Sequence, residues 1–264
     1  FLCSLIYMDY VICIPSYKRA DICKKRTLTT LNNHNIDPAK IYIYVADETE
    51  YDIYNKTLDN GTYNKIIVGK KGLVQQRQFI CEQWPVQQHI AFLDDDLDKI
   101  DLSISLFNSL DEFITYAFTQ SIQHKAYLWG VYPVYNPFYR EKRKDMINRL
   151  NYIVGAFYGI INRPDLKDIA LTITRDNGQK EDVERTLKYF LHDGVVLRFN
   201  KIAFKTKYYG CDGGGLGTFK NRVEPMLQAC TLLKEQYSDY GEIKTRKNGM
   251  AEFVFKKKWG GGSK

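Results

Sequence analysis

Residues 89–98 read His-Ile-Ala-Phe-Leu-Asp-Asp-Asp-Leu-Asp, an apolar run that passes without a break into three consecutive carboxylates. In an extended segment side chains two apart share a face, so Asp94 and Asp96 can both point at one ion while Leu93 stays in the core. That pairing suits a hard divalent metal with oxygen ligands, Mg²⁺ or Mn²⁺, which in turn would hold the phosphates of a substrate. A solvated acidic turn is the plain alternative, but three adjacent carboxylates repel one another and favour a cation. A calcium loop starting at Asp94 is excluded, because Lys99 and Ser105 stand where it needs Gly and Glu.

A second acidic group, Asp176, Asn177, Glu181 and Asp182, surrounds the start of a helix expected near Lys180. Carboxylates in a first helical turn are favoured by the helix dipole, which accounts for them without any chemistry. The chemical reading is that Asp182 or Glu181 acts as a general base on an acceptor hydroxyl, and periodicity does not choose between them. The glycines of Cys211-Asp212-Gly213-Gly214-Gly215-Leu216-Gly217 do not form GxGxxG, lie late in the chain, and read either as a lid over a phosphate-bearing donor or as a surface turn. There is no GxxxxGK[ST], and no Gly-rich loop after the first strand of the sort a sugar-phosphate nucleotidyltransferase would show.

The elements that must position these groups are legible from apolar runs. Residues 10–15 read as a strand buried on both faces and 41–45, 65–68 and 89–93 as further strands, with a helix over 20–31 and another carrying Leu73, Arg77, Ile80 and Trp84. Strand and helix in alternation predict an α/β fold, a mostly parallel Rossmann-like sheet with helices on both faces, in a single domain. Ligands collect at the carboxyl ends of such strands, so residues 16–19, Asp47, residues 70–77 and Asp94–Asp96 should converge on one nucleotide-sized crevice. Further on, strands are expected at 126–135 and 152–161, a helix from about 180 that Gly194 ends, strand over 195–209, a helix over 223–237 and a last strand at 250–255.

The chain has 264 residues, 44% hydrophobic and 26% charged, enough for one full core. Its net charge of +7 favours polyanionic partners. Six cysteines show no metal-site spacing and sit partly in apolar runs, so they read as reduced thiols of a cytoplasmic protein. The longest apolar stretch, 152–161, is about half of a membrane span. Residues 1–7 read as an upstream extension without signal-peptide features, 8–100 as a nucleotide-binding half, 101–255 as an acceptor-binding half, and 256–264 as a tail.

The segment Ile12-Cys13-Ile14-Pro15-Ser16-Tyr17-Lys18-Arg19, the acidic end at Asp47, the helix start at 72–77, the triple aspartate and the late Glu181-Asp182 pair occur in an order that resembles GT-A fold glycosyltransferases. Within these the chain looks most like the TET-associated glycosyltransferases of bacteriophages, which are related to the base J glycosyltransferase. Supporting segments are 130–137, 153–164, 181–187 and 205–209 with 247–250. The resemblance implies that Asp94 and Asp96 hold Mn²⁺ or Mg²⁺ on the diphosphate of a UDP-sugar. It implies that Pro15, Ser16, Tyr17, Arg19 and Asp47 bind the uridine, that Arg77 and Asp95 belong to the donor site, and that Asp182 is the base. Many relatives supply a late His as a third metal ligand, whereas no His follows His192 here. Asp212, or Lys205 and Lys207 acting directly on phosphate, would replace it.

By the same resemblance the reaction moves a sugar, glucose in the simplest case, to 5-hydroxymethylcytosine or 5-hydroxymethyluracil in DNA. The alternatives are a glycan, lipid or protein hydroxyl as acceptor, or a silent nucleotide-sugar or DNA-binding domain. For a DNA acceptor, Trp129, Tyr132, Tyr135, Phe138, Tyr139 and Tyr158 would stack a flipped base, while Arg140, Lys142, Arg143 and Lys144 would hold backbone phosphates. Each of those rings is equally compatible with a place in the core.

Overall fold

The computed structural model describes residues 9–176, 178–206 and 219–259, with 219 and 220 as backbone alone. Residues 1–8, Lys207, the 211–217 loop with Asp212, and 260–264 lie outside the described residues. A 9-stranded sheet forms the centre. Its first half is β1 (Tyr10–Pro15), β2 (Ile41–Val45), β3 (Lys65–Val68) and β4 (His89–Leu93), joined in the parallel order β3-β2-β1-β4. All six residues of β1 are buried, as a strand covered by helices on both faces requires.

The second half is mixed. It is built from β5 (Lys99–Asp101), β6 (Leu128–Tyr132), β7 (Met146–Asn148), β8 (Phe157–Ile161) and β9 (Leu197–Lys205). β8 runs antiparallel to both β4 and β6, so β6 is parallel to β4 and ends on the same edge of the sheet. β9 runs parallel to β6, with a register shift after Val131, and pairs antiparallel with β5 and β7.

Helices cover both faces. Residues 20–33 form one helical run, α1 (Ala20–Cys23) and α2 (Thr29–Asn33) flanking a π-helical stretch at Lys24–Leu28, where a plain α-helix is expected from sequence. With α3 (Glu48–Thr57) and α5 (Leu110–His124) it packs on one face, around Tyr10, Ile12, Leu93, Phe113, Trp129 and Phe157. α4 (Leu73–Gln83) and α6 (Glu181–Asp193) cover the other, over Cys13, Ile90, Phe92 and Tyr158. Gly194 ends α6 in the left-handed conformation, at φ 75°, as its position predicts. α7 (Phe219–Gln236) and the hairpin β10 (Gly241–Thr245) and β11 (Ala251–Phe255) pack Cys230, Leu233 and Phe253 onto Val183 and Leu187 of α6.

The strand expected over 152–161 begins only at Phe157, because residues 151–156 leave the sheet and run to the start of α6. Likewise the expected 126–135 strand ends at Tyr132. Among the described residues Cys13, Cys23, Cys81 and Cys230 are free thiols. No described helix is long and apolar enough to cross a membrane.

Candidate active site

The acidic turn follows β4 at the carboxyl edge of the parallel strands. Its backbone is pinned from both sides: the Asp94 N–H donates to the Ala156 carbonyl at 2.9 Å, and the Thr27 hydroxyl donates to the Asp94 carbonyl at 2.7 Å. Thr27 Oγ1 also accepts the Leu97 N–H at 2.9 Å, so one side chain of the π-helical stretch closes the turn. A π-helical turn widens the backbone locally, a device often found beside functional sites.

Asp95 points inward, where only 5% of its side chain is exposed and both oxygens are engaged, Oδ1 by Arg19 Nη1 at 2.9 Å and Oδ2 by the Ser16 hydroxyl at 2.5 Å. Because Ser16 gives its proton to Asp95, Tyr54 must donate to Ser16, at 2.6 Å, and the Tyr54 oxygen accepts the Arg19 N–H at 3.0 Å. Asp95 and Ser16, both expected to touch the donor, are buried and hydrogen-bonded to each other, and both Asp95 oxygens are engaged within the protein.

Asp94 is the part-exposed member of the three, while Asp96, like Asp95, is buried. Asp94 keeps 35% of its side chain exposed and gives Oδ1 to Arg77 Nη2 at 2.9 Å, leaving Oδ2 free. Asp96 Oδ1 accepts the Thr206 hydroxyl at 2.8 Å, and Oδ2 lies 3.3 Å from Arg19 Nη1. Burial pushes the Asp94 carboxyl up to about 7; Arg77 opposes this, while Asp96, Asp95 and Glu181 add to it. Burial likewise pushes Asp95 up to about 6 in spite of Arg19. Four carboxylates, Asp94, Asp95, Asp96 and Glu181, share three guanidinium groups, those of Arg19, Arg77 and Arg185, and a divalent cation would offset both the burial and the mutual repulsion. The donor set is hard oxygen, which fits Mg²⁺ or Mn²⁺. Among the described residues no group of three His, Cys, Asp or Glu is placed to hold a metal alone. Two carboxylates plus substrate phosphates and water is a usual complement for such an ion.

Behind Asp94 lies a buried charge network. Arg77 reaches from α4 to Glu181 and donates to the Gly155 carbonyl at 2.8 Å, and Arg185 holds the other Glu181 oxygen at 2.5 Å. Both guanidinium groups lie over the Tyr158 ring, at 5.4 and 3.7 Å from its centroid. Gly155 is required by this approach, since a Cβ there would lie 2.8 Å from Glu181 Oε1 and 3.3 Å from Arg77 Nη1. Glu181 is 4% exposed and its two oxygens are ion-paired with Arg77 and Arg185.

Asp182, next along α6, is only half-buried and is aimed by the 151–156 segment: Tyr152 donates its hydroxyl to Oδ2, and the Gly155 N–H lies 3.3 Å from the same oxygen. The first turn of α6 also contains Glu184, a residue the sequence reading passed over. Its carboxylate is 0% exposed and accepts the N–H groups of Thr172, Ile173 and Thr174 at 2.7, 3.0 and 2.8 Å, tying the preceding loop to the helix.

The remaining candidates lie at or just beyond the ends of β1, β2 and β9. Pro15 is buried at the end of β1, and Tyr17 is half-buried just beyond it. Asp47 is exposed and caps α3 by accepting the Glu50 N–H at 2.9 Å. Lys205 is exposed at the end of β9, paired across from Lys99.

On the expected acceptor side the structure corrects the sequence reading. Arg140 is wholly buried, ion-paired with Asp101 and donating to the Lys201 carbonyl at 2.5 Å, so it cannot hold a ligand phosphate. Trp129, Tyr132 and Tyr158 are core residues at 0%, 7% and 2% exposure and cannot stack a base. Phe138 and Tyr139 remain at the surface, 76% and 54% exposed, edge to face.

No protein-family model and no curated protein matches the sequence. Solved structures do match the fold. The chain superposes on S. aureus TarS with a TM-score of 0.50 and 15% identity, covering 86% of this chain and 40% of that one. On glucosyl-3-phosphoglycerate synthase from Mycobacterium tuberculosis, solved with Mn²⁺, UDP and glucosyl-3-phosphoglycerate, the values are 0.51 and 10%, over 94% of this chain and 88% of that one. On GalNAc-T7, solved with UDP, GalNAc and Mn²⁺, they are 0.54 and 15%, over 89% and 50%. The chain thus spans half or less of the length of TarS and GalNAc-T7 and most of the synthase. At 10–15% identity these likenesses speak for architecture, and the architecture is the GT-A glycosyltransferase fold.

Proposed function

We propose that the protein is a metal-dependent glycosyltransferase that moves a sugar, with glucose the first candidate, from a UDP-sugar to a hydroxymethyl pyrimidine in DNA. The observation that carries the transferase reading is the pair Asp94 and Asp96 in the turn after β4, at the carboxyl edge of the parallel strands, where Asp94 Oδ2 accepts no hydrogen bond and burial with the neighbouring carboxylates raises the Asp94 pKa. Solved proteins of the same fold bind Mn²⁺ together with UDP, which supports the same use of this edge.

In this reading Asp94 and Asp96 hold Mn²⁺ or Mg²⁺, which neutralises charge on the departing diphosphate. The uridine lies against Tyr17 and Asp47, and Lys205 faces the phosphates. Arg77 fixes the Asp94 carboxylate and, through Glu181, the start of α6. Asp182 takes the proton of the acceptor hydroxyl as the oxygen attacks the anomeric carbon, its carboxylate held by Tyr152 and the Gly155 N–H. The exposed Phe138 and Tyr139, beside exposed Lys142 and Lys144, support a polyanionic acceptor bearing stackable bases. The likeness to TET-associated enzymes is the ground for the hydroxymethyl group.

The test is mass spectrometry of nucleosides from hydroxymethylated DNA incubated with the protein, Mn²⁺ and a panel of UDP-sugars. A hexosyl-hydroxymethyl nucleoside that requires metal supports the proposal. Labelling of a glycan hydroxyl in parallel, with none of the DNA, would replace the acceptor while keeping the enzyme class.

A further inference from the structure

Tyr132 ends β6 on the same edge of the sheet as the acidic turn. Ala91, Gly159 and Trp129 lie in one row across β4, β8 and β6. Asp94 follows β4 and Tyr132 ends β6 on this edge, with β8 between the two strands, which lie about 10 Å apart where they pair with it.

Two guanidinium groups grip the Tyr132 ring: Arg143 at 4.8 Å and Arg198 at 5.2 Å from its centroid. The buried arginines Arg77, Arg140 and Arg185 each have a carboxylate partner. Arg198, 9% exposed, has none among the described residues; its Nε donates to Asn200 Oδ1 at 2.9 Å, and no hydrogen bond engages either Nη. Arg143 is in the same position, with Nε donating to the Tyr139 carbonyl at 2.6 Å and no carboxylate in ion-pair range among the described residues. Burial pushes Arg198 down to about 10; Tyr132 opposes this and Arg143 adds to it. Two like charges on one ring, one of them almost fully buried and without a counter-ion, are a costly arrangement for the free protein.

We propose that Arg143 and Arg198 form an anion subsite for a phosphate of the acceptor. This rests on the transferase reading for its role, since the donor diphosphate belongs at Asp94 and Asp96, two strands away. A carboxylate is satisfied in one plane by one guanidinium fork, whereas the tetrahedral oxygens of a phosphate accept from two forks approaching in different directions. Exposed Lys142 and Lys144 raise the positive potential at the entrance. The phosphate comes from a nucleic-acid backbone or from a small phosphorylated acceptor; both present the same group to the two arginines.

The experiment is calorimetric titration of inorganic phosphate into the intact chain saturated with UDP and Mn²⁺, comparing wild type with Arg143→Gln and Arg198→Met. Phosphate should bind at least about tenfold more weakly to each variant, with UDP affinity unchanged. Arg143 is the less buried of the two arginines, so its variant decides the question if Arg198→Met does not fold. Equal phosphate affinity in wild type and Arg143→Gln would overturn the subsite. Displacement of phosphate by a DNA oligonucleotide, weakened in Arg143→Gln, identifies a backbone phosphate; displacement by glycerol phosphate alone identifies a small acceptor, and either supports the subsite. Failure of UDP to bind would defeat the transferase reading, while the phosphate comparison would still decide the subsite on its own.

Discussion

Arg77→Met is the substitution that most fully exposes how the site is held. It removes the buried ion pair to Glu181, the 2.9 Å pair to Asp94 and the 2.8 Å bond to the Gly155 carbonyl. Taking one partner from a buried pair costs about 3–5 kcal/mol. The Asp94 pair is a third exposed and screened, so it adds at most about 1 kcal/mol. Two features of the structure pull the figure down: Glu181 keeps Arg185, and Arg77 Nε is itself buried without a partner. The expectation is therefore about 3 kcal/mol, which for a chain of this size lowers the melting temperature by roughly 6–12 °C. Urea unfolding followed by circular dichroism measures it, provided the transition is two-state. In a cycle with Glu181→Gln, the double variant should recover about 1.5 kcal/mol or more relative to the sum of the single variants. A loss below about 1 kcal/mol for Arg77→Met, or strict additivity in the cycle, would refute the network as described.

Other consequences are simpler to read. Asp182→Asn should lower the transfer rate by about 10²–10⁴-fold while leaving UDP binding intact; loss of folding instead would return Asp182 to a structural role. Gly155→Ala forces a methyl against Glu181 and Arg77 and should destabilise by about 1–3 kcal/mol in the same unfolding assay. Arg140→Met should cost stability on the scale of a broken buried pair, about 3 kcal/mol, yet leave the acceptor KM unchanged, whereas a backbone-binding role would raise that KM. Burial lowers the pKa of His34 even though its ring meets the Ile100 carbonyl, so the unfolded chain binds the proton more readily. Stability contributed by neutral His34 is present above the ordinary His value and is lost as pH falls below it. Unfolding curves between pH 7 and 5 should accordingly fall more steeply for wild type than for His34→Gln, and parallel curves would contradict this.

What the sequence disclosed was what local pattern controls. The unbroken apolar runs of β1 and β4 announced buried strands. The period of two did not carry into the turn: Asp95 and Asp96 are both buried and share Arg19 Nη1, and Asp94 alone of the three is part-exposed. Gly194 marked the end of α6 through its tolerance of positive φ. Partners far apart in the chain were not legible. Arg77 meets Glu181 across 104 residues, and only that meeting shows which carboxylate of the Glu181-Asp182 pair is occupied. Arg140 reads as one of a run of surface cations, yet Asp101 draws it into the interior. The three-residue strands β5 and β7 carry too few residues for periodicity and exist because β9 offers them edges. Trp129 and Tyr158 have the composition of a stacking platform, but the sheet packs them between helices.

The claim on which the account turns is that Asp94 and Asp96 bind a divalent cation together with a nucleoside diphosphate. Calorimetric titration of UDP into the protein with and without Mn²⁺, in wild type, Asp94→Asn and Asp96→Asn, tests it most directly. The account predicts that Mn²⁺ strengthens UDP binding to the wild type and gives no such gain in either variant. The same Mn²⁺-dependent gain in all three proteins, or none in the wild type, would contradict it.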